Sequence, residues 1–235
     1  MTDRLVWEGV KLTLIRHAQP AWSQQGRLVG NPGLTELGRL QARQLAERPF
    51  TGVDELWVSE LRRARETAAP LAARLGLRPA VHPWMNEIGD PVEWDGMPID
   101  LVQARISRLE GSLSLQKLWR GVRRGEPYHS FRERIAAGLL RSLGDYGVRM
   151  LEPDQPRLWR PGQSKSIVLV AHGGTNAVIH ETLLGCGPTP IAWHKFRSLH
   201  TAVSVLSTYP LANVVMFALE RFGDVTHLLP EQATR

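Results

Sequence analysis

The sequence predicts an α/β fold, a three-layer α/β/α sandwich around a mostly parallel central sheet. Three observations carry that prediction. Two short runs, Leu12-Thr13-Leu14-Ile15 and Ser166-Ile167-Val168-Leu169-Val170-Ala171, are aliphatic and β-branched and have the length of buried strands. Each stops at a polar pair, Arg16-His17 in the first case and His172-Gly173 in the second. Strand-like and helix-like segments alternate along the chain, the order that builds a sheet covered on both faces. Ligands of such sheets bind beyond the carboxyl ends of the strands, so the two polar pairs are set to meet across one crevice.

After the first strand, residues 34–45 (from Leu34-Thr35-Glu36-Leu37-Gly38 onward) carry a helical pattern with Thr35 as N-cap and Leu37, Leu40, Ala42 and Leu45 available for a buried face. Residues 54–59 read as a second strand. Residues 61–75 read as a helix rich in Ala, Leu and Arg, closed by Gly76, which tolerates the left-handed conformation past a last turn. From residue 83 to about 124 the periodicity weakens and Trp, Pro and Gly accumulate; an insertion at about 84–130, with one or two helices, is expected over the working edge of the sheet. Residues 131–143 are helical, 152–163 a Pro-rich surface loop and 175–184 helical again. Residues 202–207 and 214–219 read as strands joined by a turn at Tyr209-Pro210. Without repeats or low-complexity tracts, the expectation is one domain over residues 1–235.

Composition narrows the partners. The 235 residues carry a formal net charge of +6, almost wholly as arginine, because Lys11, Lys117, Lys165 and Lys195 are the only lysines. Arginine's planar fork suits phosphate and carboxylate recognition. No dense basic tract with interleaved aromatics is present, so nucleic acid is not an expected partner. Cys186 is the single cysteine, which excludes an internal disulfide and a thiolate-rich metal site. No basic segment followed by an apolar run opens the chain, and no stretch reaches the ~18 apolar residues of a membrane span. A cytoplasmic protein with no membrane partner is expected; a homodimer is compatible with everything above.

Phosphoryl transfer through histidine needs a neutral imidazole nitrogen aimed at phosphorus, cations around the phosphoryl oxygens and an acid for the leaving oxygen. His17 and His172, each followed by a small residue (Ala18, Gly173), could meet that need. Here the sequence becomes specific. Leu14-Ile15-Arg16-His17-Ala18 resembles the Arg-His-Gly signature of the histidine phosphatase superfamily, which includes the cofactor-dependent phosphoglycerate mutases. Gly30 and Leu34-Thr35-Glu36-Leu37-Gly38 resemble the family's next segment, Ser59-Glu60-Leu61-Arg62-Arg63-Ala64-Arg65-Glu66-Thr67-Ala68 its Arg-Ala segment, and Val170-Ala171-His172-Gly173-Gly174 its second-histidine motif. The matches run in order from residue 12 to about 206.

The resemblance implies a phosphoglycerate mutase-like fold and a metal-independent phosphatase without a cofactor. It implies that His17 becomes phosphorylated, that Arg16, Arg63 and His172 hold the phosphoryl oxygens with Gly173 and Ser23 contributing, and that a carboxylic acid protonates the leaving group. Met85-Asn86-Glu87-Ile88 through Trp94-Asp95-Gly96 resembles the family's glutamate followed by Trp-Glu-Gly, which makes Glu87 the acid. The spacing is one residue longer than the pattern, and Glu93 and Asp95 are the other candidates. Ala18 stands where glycine is usual, Gln19 where glutamate is common, and Ser23 where many members carry asparagine. Arg62 reads as a surface ion pair, Arg27 as a candidate substrate clamp, and His200 as a residue whose segment lies near the site.

The implied reaction is hydrolysis of a small phosphorylated metabolite through a phosphohistidine. The alternatives are mutase-type transfer to another hydroxyl of a retained substrate and, ranked lower, a non-catalytic phospho-ligand-binding module. Residues 97–125 lack a match to the arginine-rich and tyrosine-containing segments of glycolytic mutases, although Arg105, Arg108, Arg120, Arg123 and Arg124 lie there. A metallohydrolase would need a His-x-x-x-His or carboxylate-rich cluster, which is missing beside the two histidines.

Overall fold

The computed structural model describes residues 9–111, 114–151 and 157–235. In chain order the strands are β1 (Val10–Arg16), β2 (Ser23–Gln24), β3 (Arg27–Leu28), β4 (Glu55–Val58), β5 (Ala80–Val81), β6 (Arg149–Met150), β7 (Trp159–Arg160), β8 (Lys165–Ala171), β9 (Val203–Leu211) and β10 (Val214–Asp224). The helices are α1 (Glu36–Ala46), α2 (Arg62–Leu75), α3 (Ile99–Glu110), α4 (Leu115–Arg120), α5 (Tyr128–Asp145) and α6 (Gly173–Leu184). β2 and β3 pair as a separate hairpin, and the other eight strands form one sheet in the order β5-β4-β8-β1-β9-β10-β7-β6.

β5, β4, β8 and β1 are parallel, and the sheet continues antiparallel through β9, β10, β7 and β6. The parallel part is the part that carries both histidine motifs. β1 and β8 are adjacent there, with Arg16 opposite Ala171, so the two strands end level and His17 and His172 emerge side by side.

Alternate residues of these strands feed two cores. Leu12, Leu14, Ile167 and Leu169 pack with Phe131, Ile135 and Leu139 of α5 and Val178 and Ile179 of α6. Ile15, Val168 and Val170 pack on the other face with Leu45 of α1 and Ala64, Ala68 and Leu71 of α2. A strand buried on both faces needs apolar residues at nearly every position, which is why β1 and β8 read as unbroken aliphatic runs. These two cores are the three-layer sandwich.

The helix ends follow their local chemistry. Thr35 caps α1, its hydroxyl accepting from the Gly38 N–H at 2.9 Å, and Gly76 ends α2 at φ 66°. Residues 84–130 hold α3 and α4, preceded by short turns at Pro83–Met85 and Val92–Trp94. Two expectations need correction. Tyr209 and Pro210 lie within β9 and the hairpin turns at residues 212–213, with Ala212 at φ 55°; so tight a connection lets both strands run longer. Of the expected surface loop 152–163, residues 152–156 lie outside the described residues, and Trp159–Arg160 pairs as β7 because Trp159 is fully buried against Phe217, ring centroids 5.2 Å apart.

Candidate active site

A cavity of about 420 Å³ opens at the carboxyl ends of β1 and β8, lined by Arg16, His17, Trp22, Arg63, Glu87 and Gly173 among others. His17 is anchored by its backbone N–H, which donates to the Ala171 carbonyl at 2.8 Å. Its Nδ1 lies 2.8 Å from the Ala18 carbonyl. A carbonyl can only accept, so Nδ1 carries the proton and Nε2 carries the lone pair. Burial, with Arg63 and Arg16 adding their positive fields, holds the ring well below its ordinary pKa. His17 is therefore a neutral imidazole with a free Nε2.

The cations around it are held in place but not neutralised. Arg16 donates through Nη1 to the Ser198 carbonyl and approaches His200 Nε2 through Nη2 at 3.4 Å. Arg63, the second residue of α2, is 3% exposed, lies over the Trp22 ring at 4.6 Å, and is pushed down to about 10 by burial. Arg16 Nε, Arg63 Nε and Arg63 Nη1 are buried with no hydrogen-bond partner among the described residues. Buried guanidinium nitrogens are normally satisfied, and leaving these three open around one cavity points to an oxyanion as the missing partner.

His172 sits 5.1 Å from His17 between ring centroids and is fully buried. Its tautomer follows from a short relay. Glu60 N–H (3.2 Å) and the Ser59 hydroxyl (2.8 Å) both approach Asn86 Oδ1, which can only accept. The Ser59 proton is thus committed, and Ser59 Oγ must accept from His172 Nε2 at 2.8 Å. Nδ1 is left buried and without a partner. Burial first, then Arg63, His17 and Arg16, hold this ring neutral too. Beside it α6 begins at Gly173, and the open N–H groups of a helix start favour an anion.

Glu87 closes the site. Its Oε2 accepts from Gly174 N–H at 2.9 Å and its Oε1 from Ile88 N–H at 3.1 Å. Burial raises its pKa against the opposing pull of those two donors and of Arg63 and Arg16. A carboxyl so placed stays protonated to higher pH than an exposed one. Among the described residues no group of three or more His, Cys, Asp or Glu could hold a metal ion, and no helix is long and apolar enough to cross a membrane.

This geometry agrees with what the chain is similar to. The family model of the histidine phosphatase superfamily (branch 1) matches residues 12–217. The chain belongs to that superfamily. "Probable phosphatase C1687.21" of Schizosaccharomyces pombe is 29% identical over 229 residues, 95% of this chain and 97% of its own length. A glucosyl-3-phosphoglycerate phosphatase of Mycolicibacterium vanbaalenii is 32% identical over 74% of each chain. Among solved structures, a phosphoserine phosphatase of Entamoeba histolytica superposes with a TM-score of 0.64 at 24% identity, covering 94% of this chain and all of that one. Bacillus stearothermophilus YhfR superposes with a TM-score of 0.69 at 21% identity over 93% and 98%.

Within this histidine phosphatase, the structure brings together Arg16, His17, Arg63, Glu87, His172 and Gly173 and leaves other candidates outside. Ser23 is exposed on β2, and the neighbouring side chain that turns into the cavity is Trp22. The resemblance matches Ser23 by position in the pattern, but the hairpin points it to solvent. Glu93 pairs with Arg124 at 3.4 Å and lines a separate cavity of about 720 Å³ with Arg105, Arg108 and Lys117. Asp95 accepts from Gly30 N–H at 2.9 Å. Arg27 donates to the Gly96 carbonyl at 2.7 Å and does not line the cavity. Arg62 pairs with Glu66 at 2.6 Å on the surface of α2. Ala18, in place of glycine, is buried with Leu34 and Ala42. Sequence reasoning missed Trp22, Trp193, Phe196, Arg197 and Arg235, all of which line the cavity; no local pattern marks them.

Proposed function

We propose that the protein is a phosphomonoester hydrolase that works through a phosphohistidine on His17 and acts on small phosphorylated metabolites. The observation that supports it most is the free Nε2 of a neutral His17 set beside Arg16 Nε, Arg63 Nε and Nη1 and His172 Nδ1, buried nitrogens with no hydrogen-bond partner among the described residues. The names of the relatives, a probable phosphatase and a glucosyl-3-phosphoglycerate phosphatase, agree with it.

In the first step Nε2 attacks phosphorus and the bond from phosphorus to the leaving oxygen breaks. Glu87 gives its proton to that oxygen, so an alcohol leaves and Glu87 is left as carboxylate. Arg16, Arg63 and the start of α6 hold the equatorial oxygens through the transition state; a single positioned donor of this kind is worth ~2.7–4 kcal/mol. In the second step water attacks phosphorus, its proton passes to Glu87, the P–N bond breaks and phosphate departs. His17 and Glu87 are returned to their starting states. Water must enter for this step, and the cavity's open mouth provides the route.

The test is transfer of ³²P from a labelled phosphomonoester to the protein in a rapid acid-free quench. The expected result is label on the wild type that is lost in acid and survives base, with stoichiometric release of phosphate in steady state, and no label on His17→Ala. Unchanged turnover by His17→Ala refutes the mechanism. Return of the label to another hydroxyl of the same substrate, without free phosphate, marks a mutase in its place.

A further inference from the structure

The phosphoryl-transfer scheme makes no use of residues 230–235, yet buried hydrogen bonds hold them at the site. Gln41 of α1, fully buried, donates through Nε2 to the Gln232 carbonyl at 2.7 Å and to Thr234 Oγ1 at 2.9 Å. Its Oε1 accepts from Gln19 N–H at 2.8 Å, two residues beyond His17. His200 N–H donates to the Thr234 carbonyl at 2.9 Å. An arginine Nη can only donate, so His200 Nε2 accepts from Arg16 and Nδ1 donates to Thr234 Oγ1 at 2.9 Å. One connected brace thus runs from Arg16 through His200 and Thr234 to Gln41 and the residue after Ala18.

What this brace delivers to the cavity is Arg235. Arg16, Arg63, Arg197 and Arg235 line the same 420 Å³ space, against one acidic side chain, Glu87. Arg16 and Arg63 match the two charges of a phosphomonoester. Arg197 and Arg235 are exposed and form no ion pair among the described residues. Arg235 also lies close enough to Arg16 to repel it and help lower its pKa, after burial. An arginine that merely needed solvent would gain nothing from being tethered through buried Gln41 and His200 next to another cation. A second anion would turn that repulsion into binding.

We propose that Arg235, with Arg197, binds a carboxylate on the leaving group, which makes it a specificity-determining residue and assigns the substrate to the phosphorylated hydroxy acids. Thr234 is then a positioning residue for Arg235. The inference rests on His17 as the phosphoryl site. The planar guanidinium fork matches a carboxylate in two hydrogen bonds, whereas an uncharged hydroxymethyl group gives it only one neutral acceptor.

The test compares 3-phosphoglycerate with sn-glycerol 3-phosphate, which differ by a carboxylate against a hydroxymethyl group. Calorimetric titration of His17→Ala protein gives both dissociation constants without turnover. The expected preference for 3-phosphoglycerate is about tenfold or more, falling to about twofold or less when Arg235→Gln is added and partly restored by Arg235→Lys. Thr234→Ala narrows the preference and Thr234→Ser restores it. Equal affinity for the two esters, or a ratio that Arg235→Gln leaves unmoved, overturns the proposal. Wild-type turnover is scored separately. Binding preference without phosphate release sustains the carboxylate site and defeats the hydrolase reading, and phosphate release without preference does the reverse.

Discussion

Replacing Arg63 with methionine is expected to raise stability and abolish most activity. Arg63 is 3% exposed, with Nε and Nη1 unpartnered. Burial pushes its pKa down to about 10, against the partly compensating pull of Glu87. Measured from an ordinary value above ~12, at ~1.4 kcal/mol per pH unit, the charged side chain costs the fold about 3 kcal/mol. The sign is that of a cation whose folded pKa is depressed: the unfolded chain holds the proton more tightly, so the cost is present in full at every pH well below 10, neutral pH included. Methionine keeps an apolar stem and removes the charge, but forfeits the guanidinium's contact with Trp22 at 4.6 Å, worth ~1 kcal/mol. The net gain is about 2 kcal/mol, or ~4–8 °C in Tm for a chain of this size. Loss of one phosphoryl-oxygen donor should cut kcat/KM by ~10²–10³. Differential scanning calorimetry at pH 7 and steady-state hydrolysis of one phosphomonoester check both. A Tm below that of the wild type, or kcat/KM within about threefold of it, refutes the reasoning that this guanidinium is held uncompensated for the sake of the substrate.

Glu87→Gln should slow single-turnover phosphorylation of His17 by ~10²–10⁴ with an alkyl phosphate and far less with p-nitrophenyl phosphate, whose leaving group needs no proton. Because burial raises the Glu87 pKa and the protonated form acts, the wild-type phosphorylation rate should fall as pH rises through that pKa; a rate independent of pH in that limb, or equal losses for the two leaving groups, assigns the acid elsewhere. Vanadate binding at pH 7 should draw protons onto His172 Nδ1, since burial first and then the Arg63, His17 and Arg16 fields keep the ring neutral and an anion offsets those fields. Calorimetry in buffers of different ionisation enthalpy measures that uptake, and none at all would count against His172 as an oxyanion donor. Gly38→Ala should lower Tm, although alanine ordinarily favours a helix over glycine by ~1 kcal/mol, because a Cβ there runs into the Gln19 carbonyl; a loss of ~1–3 kcal/mol is the expected cost of that overpacking.

The parts of this site that could be read from the sequence are those written in consecutive residues on elements with strong local signals. β1 and β8 are buried on both faces, so their aliphatic runs and the histidines that end them stand out, and level pairing of Arg16 with Ala171 turns two separate motifs into one site. Arg63 is legible for a similar reason: it opens a helix whose Ala64, Thr67 and Ala68 are all buried. The extra residue between Glu87 and Trp94 left three acids in play because spacing alone cannot tell which side chain turns inward. Tertiary hydrogen bonds do so, seating Glu87 on Gly174 and sending Asp95 to Gly30 and Glu93 to Arg124. Arg235 lay beyond any pattern. It reaches the cavity through a side chain of α1 that is 193 positions from Thr234, and no hydrophobic period or cap near residue 235 could announce that contact. The same cause explains both outcomes. The proposed phosphate-binding residues come from strand and helix ends, whose chemistry is local, whereas the residues proposed to face the leaving group come from distant segments that only the folded sheet edge brings together.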